Sequence, residues 1–106
     1  MRVFIAGPYT LGDVAENVHK AMEAGHAVLD AGHSPFVPHL SHFLHLQRQR
    51  PYEDWTRMDS IFVECCEAMI RLPGASKGAD AEVALAERIG VPVFDSIEEW
   101  IFQMLR

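Results

Sequence analysis

The sequence predicts an α/β fold: a doubly wound parallel sheet of about four strands with helices on both faces. Short apolar runs alternate along the chain with longer segments of helical period. Glycine-containing loops, Gly7-Pro8 and Pro73 to Gly78, fall where two of those runs end. The length of 106 residues suits one domain, and no repeat, linker or low-complexity stretch divides it.

The elements follow in order. Arg2 to Ala6 reads as a buried strand closed by Gly7-Pro8. Asp13 to Ala31 reads as a helix, because Val14, Val18, Ala21, Met22, Gly25, Val28 and Leu29 recur at helical spacing and Gly32 is a natural stop. Ser34 to Val37 is a short strand; Pro35 and Pro38 place it at an edge, since a central ladder tolerates proline poorly. His39 to Pro51 has no clean period and reads as a loop or short helix. Tyr52 to Cys66 is helical, with Trp55, Met58 and Phe62 on one side. Ala68 to Leu72 is the third strand and Asp80 to Ile89 the next helix, ended by Gly90. Val91 to Phe94 is the fourth strand. Ser96 caps a last helix over 97–105, and Glu99 completes a capping-box pattern.

Composition narrows the function classes. The formal net charge of −6 leaves no basic stripe to neutralise phosphates, which argues against a nucleic-acid polymer as partner. Arg48 and Arg50 are the only tight basic cluster. No apolar run approaches the ~18 residues that span a bilayer, and no signal peptide is visible, so no membrane partner is expected. The two cysteines, Cys65 and Cys66, are adjacent and unsuited to a mutual disulfide, which fits a reducing cytoplasm. A chain this short often completes its site with a second subunit, so a homodimer or higher homo-oligomer is expected.

Parallel sheets of this type bind ligands beyond the C-terminal ends of their strands, where the winding reverses. Gly7-Pro8-Tyr9 and the loop from Pro73 to Gly78 both lie at such ends. Glu82 falls in the first turn of its expected helix, where the dipole and free N–H groups favour the carboxylate. It is a candidate nucleophile or base, or a Glu that only complements the dipole. Asp59 lies inside the apolar stripe of its helix, four after Trp55 and three before Phe62. Burial and a neighbouring Glu82 charge would raise its pKa, which makes it a candidate acid; the alternative is a structural Asp bonded within the core. Tyr9 offers a hydroxyl to a carboxylate or substrate, or merely covers the core. Ser76 is a candidate N-cap or ligand contact, and Gly78 permits close approach of backbone to ligand. His39, His42 and His45 recur at every third position, but no HExxH or CxxC accompanies them, so no metal or other cofactor is expected. His39 alone is expected to face the cleft. Neither GxxxxGK[ST] nor GxGxxG is present, which argues against a nucleotide triphosphatase or a dinucleotide enzyme.

Taken in order, Gly7-Pro8-Tyr9, Pro38-His39, Trp55 through Asp59 and Ser76-x-Gly78-x-x-x-Glu82 resemble the nucleoside 2-deoxyribosyltransferase superfamily, which includes 2′-deoxynucleoside 5′-phosphate N-hydrolases. The resemblance spans nearly the whole chain. It implies a flavodoxin-like sheet and cleavage of an N-glycosidic bond in a nucleoside or its 5′-monophosphate. By position, Glu82 corresponds to the nucleophile that forms a glycosyl-enzyme intermediate and Asp59 to the acid or orienting carboxylate. Tyr9 corresponds to a residue that holds the nucleophile. Gly7, Pro8, Thr10, His39, Trp55, Ser76 and Gly78 correspond to substrate contacts. Pro8 and Thr10 depart from the serine and arginine that the monophosphate hydrolases carry there. Leu72-Pro73-Gly74 ahead of Ser76-x-Gly78 and Glu82 is also similar to the PGGxGTxxE loop of cytokinin-activating phosphoribohydrolases. A non-catalytic nucleotide-binding domain on the same scaffold is the third reading.

Overall fold

The computed structural model describes residues 1–105. Its strands are β1 (Arg2–Ala6), β2 (Ser34–Phe36), β3 (Ala68–Arg71) and β4 (Val93–Phe94). Its helices are α1 (Val14–Asp30), α2 (Ser41–Gln47), α3 (Tyr52–Cys65), α4 (Lys77–Ile89) and α5 (Ile97–Met104), with a 3-10 turn at Pro38–Leu40 ahead of α2. The strands form one parallel sheet in the order β2-β1-β3-β4. This is the flavodoxin-like α/β architecture expected from the sequence, and among the described residues no helix is long and apolar enough to cross a membrane.

Alternation along β1 builds the two halves of the core. Val3 and Ile5 point to one face, where α1 and α5 supply Ala21, Ala24, Val28 and Trp100. Phe4 and Ala6 point to the other, against Val63 of α3 and Ala79 and Ala86 of α4. Because helices cover both faces, the central strands are apolar throughout rather than alternating apolar and polar. Trp100 is fully buried and meets His33 edge-on, ring centroids 5.4 Å apart. Cys65 and Cys66 are both free thiols, Cys65 exposed and Cys66 buried.

The helix ends obey local chemistry. Asp13 accepts from the Glu16 N–H at 3.2 Å, and Ser76 and Ser96 cap α4 and α5 through the Ala79 and Glu99 N–H groups at 3.1 and 3.0 Å. The capping box closes one residue early: the Glu99 carboxylate accepts from the Asp95 N–H at 3.1 Å. Pro35 does sit on an edge strand, paired with Val3. The final strand is only Val93–Phe94, shorter than expected, because Pro92 has no N–H to give the ladder and contributes only its carbonyl, to Met69. The segment after β2, without a clear period in the sequence, contains the 3-10 turn and α2. On α3 the buried residue is Val63; Phe62 is partly exposed and stacks on Phe36 at 4.2 Å.

The loops after β1 and β3 are locked together. Gly74 has φ +115°, and a Cβ there would lie 2.8 Å from Cγ of Pro8. Gly74→Ala therefore meets both a left-handed backbone and a ring that cannot move far. The expected cost is about 1–3 kcal/mol, read as a lower melting temperature; an unchanged melt would show that the two loops are free to part.

Candidate active site

The sheet order reverses between β1 and β3, and a cleft of about 860 Å³ opens at the C-terminal ends of those strands. Its walls come from the loop after β1, the 3-10 turn with α2, the first turns of α3, and the start of α4.

Asp59 and Glu82 meet in this cleft, within hydrogen-bonding reach of each other. Each arrives there because it occupies a core-facing row of its helix. Asp59 is one turn from Trp55 and one from the buried Val63, while Glu82 lies between the buried Ala79 and Ala86. Glu82 thus sits on the inward-facing row of α4. Since α4 begins at Lys77, Glu82 is also in the second turn, beyond the free N–H groups that were expected to hold it ionised. Burial governs it instead.

Burial pushes Glu82 up to about 8, aided by the Asp59 charge and its hydrogen bond and opposed by the Arg71 guanidinium. Burial likewise pushes Asp59 up to about 6, opposed by its hydrogen bond with Glu82. Two carboxyls in contact titrate as one unit, and burial shifts that unit toward keeping a proton. Oδ1 of Asp59 is buried and has no hydrogen-bond partner among the described residues. Burying such an atom as a charge is costly, which favours a proton on the Asp59–Glu82 pair.

Arg71 was passed over in the apolar run of β3. Its guanidinium donates to the carbonyls of Leu72 and Gly74 (2.9 Å to the latter) and pairs with Asp80 at 3.0 Å. It thereby fastens the β3–α4 loop to the helix that carries Glu82. An arginine closing an otherwise buried strand was the available signal.

The other sequence-predicted residues divide. Gly7, Tyr9, Thr10, His39, Trp55, Ser76 and Gly78 line the cleft. Pro8 does not: its ring packs over Gly74 and borders a separate hollow of about 360 Å³ beside α1 and α5, while its carbonyl accepts from Nε2 of His39 at 2.9 Å. Gly7 is tight against the protein rather than a ligand, since a Cβ there would meet Cβ of Leu72 at 3.0 Å. At Gly78 a Cβ would lie 2.9 Å from the Tyr52 hydroxyl. The Tyr9 hydroxyl is bonded to Nδ1 of His42, not to Glu82, and burial raises its pKa.

Beyond His39, both His42 and His45 line the cleft as well, because the segment is helical and its third-position spacing brings them to the same side. Each of the three is tied to a different protein group, and among the described residues no cluster of three or more metal-ligating side chains forms. His39 is buried; desolvation lowers its pKa, against the pull of the Pro8 and Gly7 carbonyls.

The fold is that of a flavodoxin-like α/β protein, with its cleft at the reversal point of a parallel sheet. The structure is similar to that of a 2-deoxyribosyltransferase from the psychrotolerant bacterium Bacillus psychrosaccharolyticus, with a TM-score of 0.65 and 16% sequence identity over 88% of this chain and 69% of that one. The chain belongs to the family described as "Domain of unknown function (DUF7768)", which it matches over residues 1–96. A comparison with curated proteins finds no match.

Proposed function

We propose that the cleft cleaves the N-glycosidic bond of a nucleoside, deoxy or ribo, or of its 5′-monophosphate, by double displacement. The observation that carries this reading is the meeting of the Asp59 and Glu82 carboxyls in the cleft at the sheet's reversal point. One carboxylate and one carboxylic acid are the two groups the chemistry requires. As the proton on Glu82 passes across the contact to Asp59, the Glu82 carboxylate attacks C1′, the C1′–N bond breaks and its electron pair leaves with the base. Asp59 delivers the shared proton to that base. Water, deprotonated by Asp59, then attacks C1′ and frees Glu82; with a second base in place of water, the cycle is a transfer. Similarity in fold to a 2-deoxyribosyltransferase supports the substrate class.

A 5′-phosphate, where present, would meet the free N–H groups at the start of α4. We place the protein in the cytoplasm as a homodimer or higher homo-oligomer. The exposed Phe43, Leu44 and Leu46 beside the cleft favour association, and light scattering tests it. The function is tested by incubating the protein with deoxynucleosides, ribonucleosides and their monophosphates and following free base by chromatography. Base release that depends on Glu82 is the expected result. Ligand-induced thermal stabilisation without release would identify a binding domain instead.

A further inference from the structure

We infer that His45 reads the leaving base: its ring, held by Trp55, presents an Nε2–H donor to an acceptor on the base, a ring nitrogen or a carbonyl oxygen. This rests on the glycosidic-cleavage reading above. Indole Nε1–H can only donate, and it lies 3.1 Å from Nδ1 of His45. The backbone N–H of Arg50 points at the same nitrogen, at 3.4 Å. Two donors on one nitrogen make Nδ1 the acceptor, so the neutral ring carries its proton on Nε2. The rings of His45 and Trp55 meet edge-on at 5.7 Å, which fixes orientation as well as tautomer.

The location follows from the attack. Displacement at C1′ sends the bond to the base away from Glu82, and therefore away from the α4 wall. The cleft residues that do not belong to α4 include Tyr9, His42 and His45, with Trp55 one turn before Asp59 on α3. As the C1′–N bond breaks, negative charge spreads over the ring nitrogens and carbonyl oxygens of the base. A fixed N–H donor there is worth more in the transition state than in the bound substrate.

The test compares His45→Leu, His45→Gln and Trp55→Phe with the unaltered protein. The substrates are natural deoxynucleosides and a nitrophenyl 2-deoxyriboside, whose phenolate departs without help from a donor. His45→Leu is expected to lower kcat/KM on nucleosides by about 10–100-fold while leaving the nitrophenyl substrate nearly unaffected. His45→Gln, which keeps an N–H donor at similar reach, recovers much of the loss, and Trp55→Phe falls between. Equal losses on both substrate types, or a Gln variant no better than Leu, would overturn the role of His45 while leaving Glu82 chemistry intact. No base release from any nucleoside by the unaltered protein would remove both proposals together.

Discussion

Glu82→Gln is expected to abolish base release, with a loss of about 10³-fold or more, and to make the protein more stable at alkaline pH. The first effect follows because an amide cannot form the glycosyl ester. The second follows from the direction of the pKa shift. The native pair binds protons more tightly than the unfolded chain does, since burial raises both carboxyls. The stabilisation linked to that protonation is fully present below the unfolded values near pH 4. It is lost as pH rises through about 6 and then about 8, where a second negative charge must be held in the cleft wall. Gln removes that charge and donates its amide to Asp59. At pH 9 the gain is expected to be on the order of 1–2 kcal/mol, at roughly 4–8 °C per kcal/mol for a chain of this size; at pH 5 the two melts nearly coincide. Thermal melts at both pH values, run beside the chromatographic assay, check both halves. A variant that still releases base removes Glu82 from the chemistry, and identical melts at pH 9 mean that the second charge is not confined.

Asp59→Asn is expected to change the shape of the pH–rate profile as well as its height. The unaltered protein should give a bell in kcat/KM. Its acid limb marks loss of the nucleophile when the pair is doubly protonated, and its alkaline limb marks loss of the acid when the last proton leaves. With Asn there is no acid to lose, so the alkaline limb disappears. The acid limb stays near its place, because on that limb Asp59 is already protonated and the Asn amide is a comparable neutral donor to the Glu82 carboxylate. Nucleosides with poor leaving bases should lose about 10²–10³-fold. A bell that survives in the Asn variant would assign the acid to another group.

Part of the site could be read along the chain because one of its carboxylates, Asp59, breaks a local rule. An Asp four residues after Trp55 on an apolar helical face has no reason to be there except a partner or a function. The reversal point was equally legible: parallel winding follows from element order, and Gly7 and the loop to Gly78 mark the ends of β1 and β3. What failed were readings that depended on a side chain's actual neighbours. Tyr9 lines the cleft with Glu82 as expected, but its hydroxyl is bonded to His42, a partner not foreseen because α2 forms in a stretch whose period was too short to recognise. Pro8 was read as a ligand contact, yet its ring turns to Gly74. Arg71 hid inside an apolar run, and its bonds to two loop carbonyls exist only once the loop has closed.

The helix that carries Glu82 shows the same division. Ser76 as cap and Gly90 as terminator, with Ala79 and Ala86 facing inward, are local properties of the chain and set the length and facing of α4. Hence the amino-acid order alone determined the winding of the sheet, its edge strands and the inward placing of Asp59. Only tertiary packing decided that those acids touch, that burial outweighs the helix dipole at Glu82, and that three histidines share one wall. Periodicity and capping act over a few residues, whereas desolvation and hydrogen bonding depend on which distant segment arrives opposite.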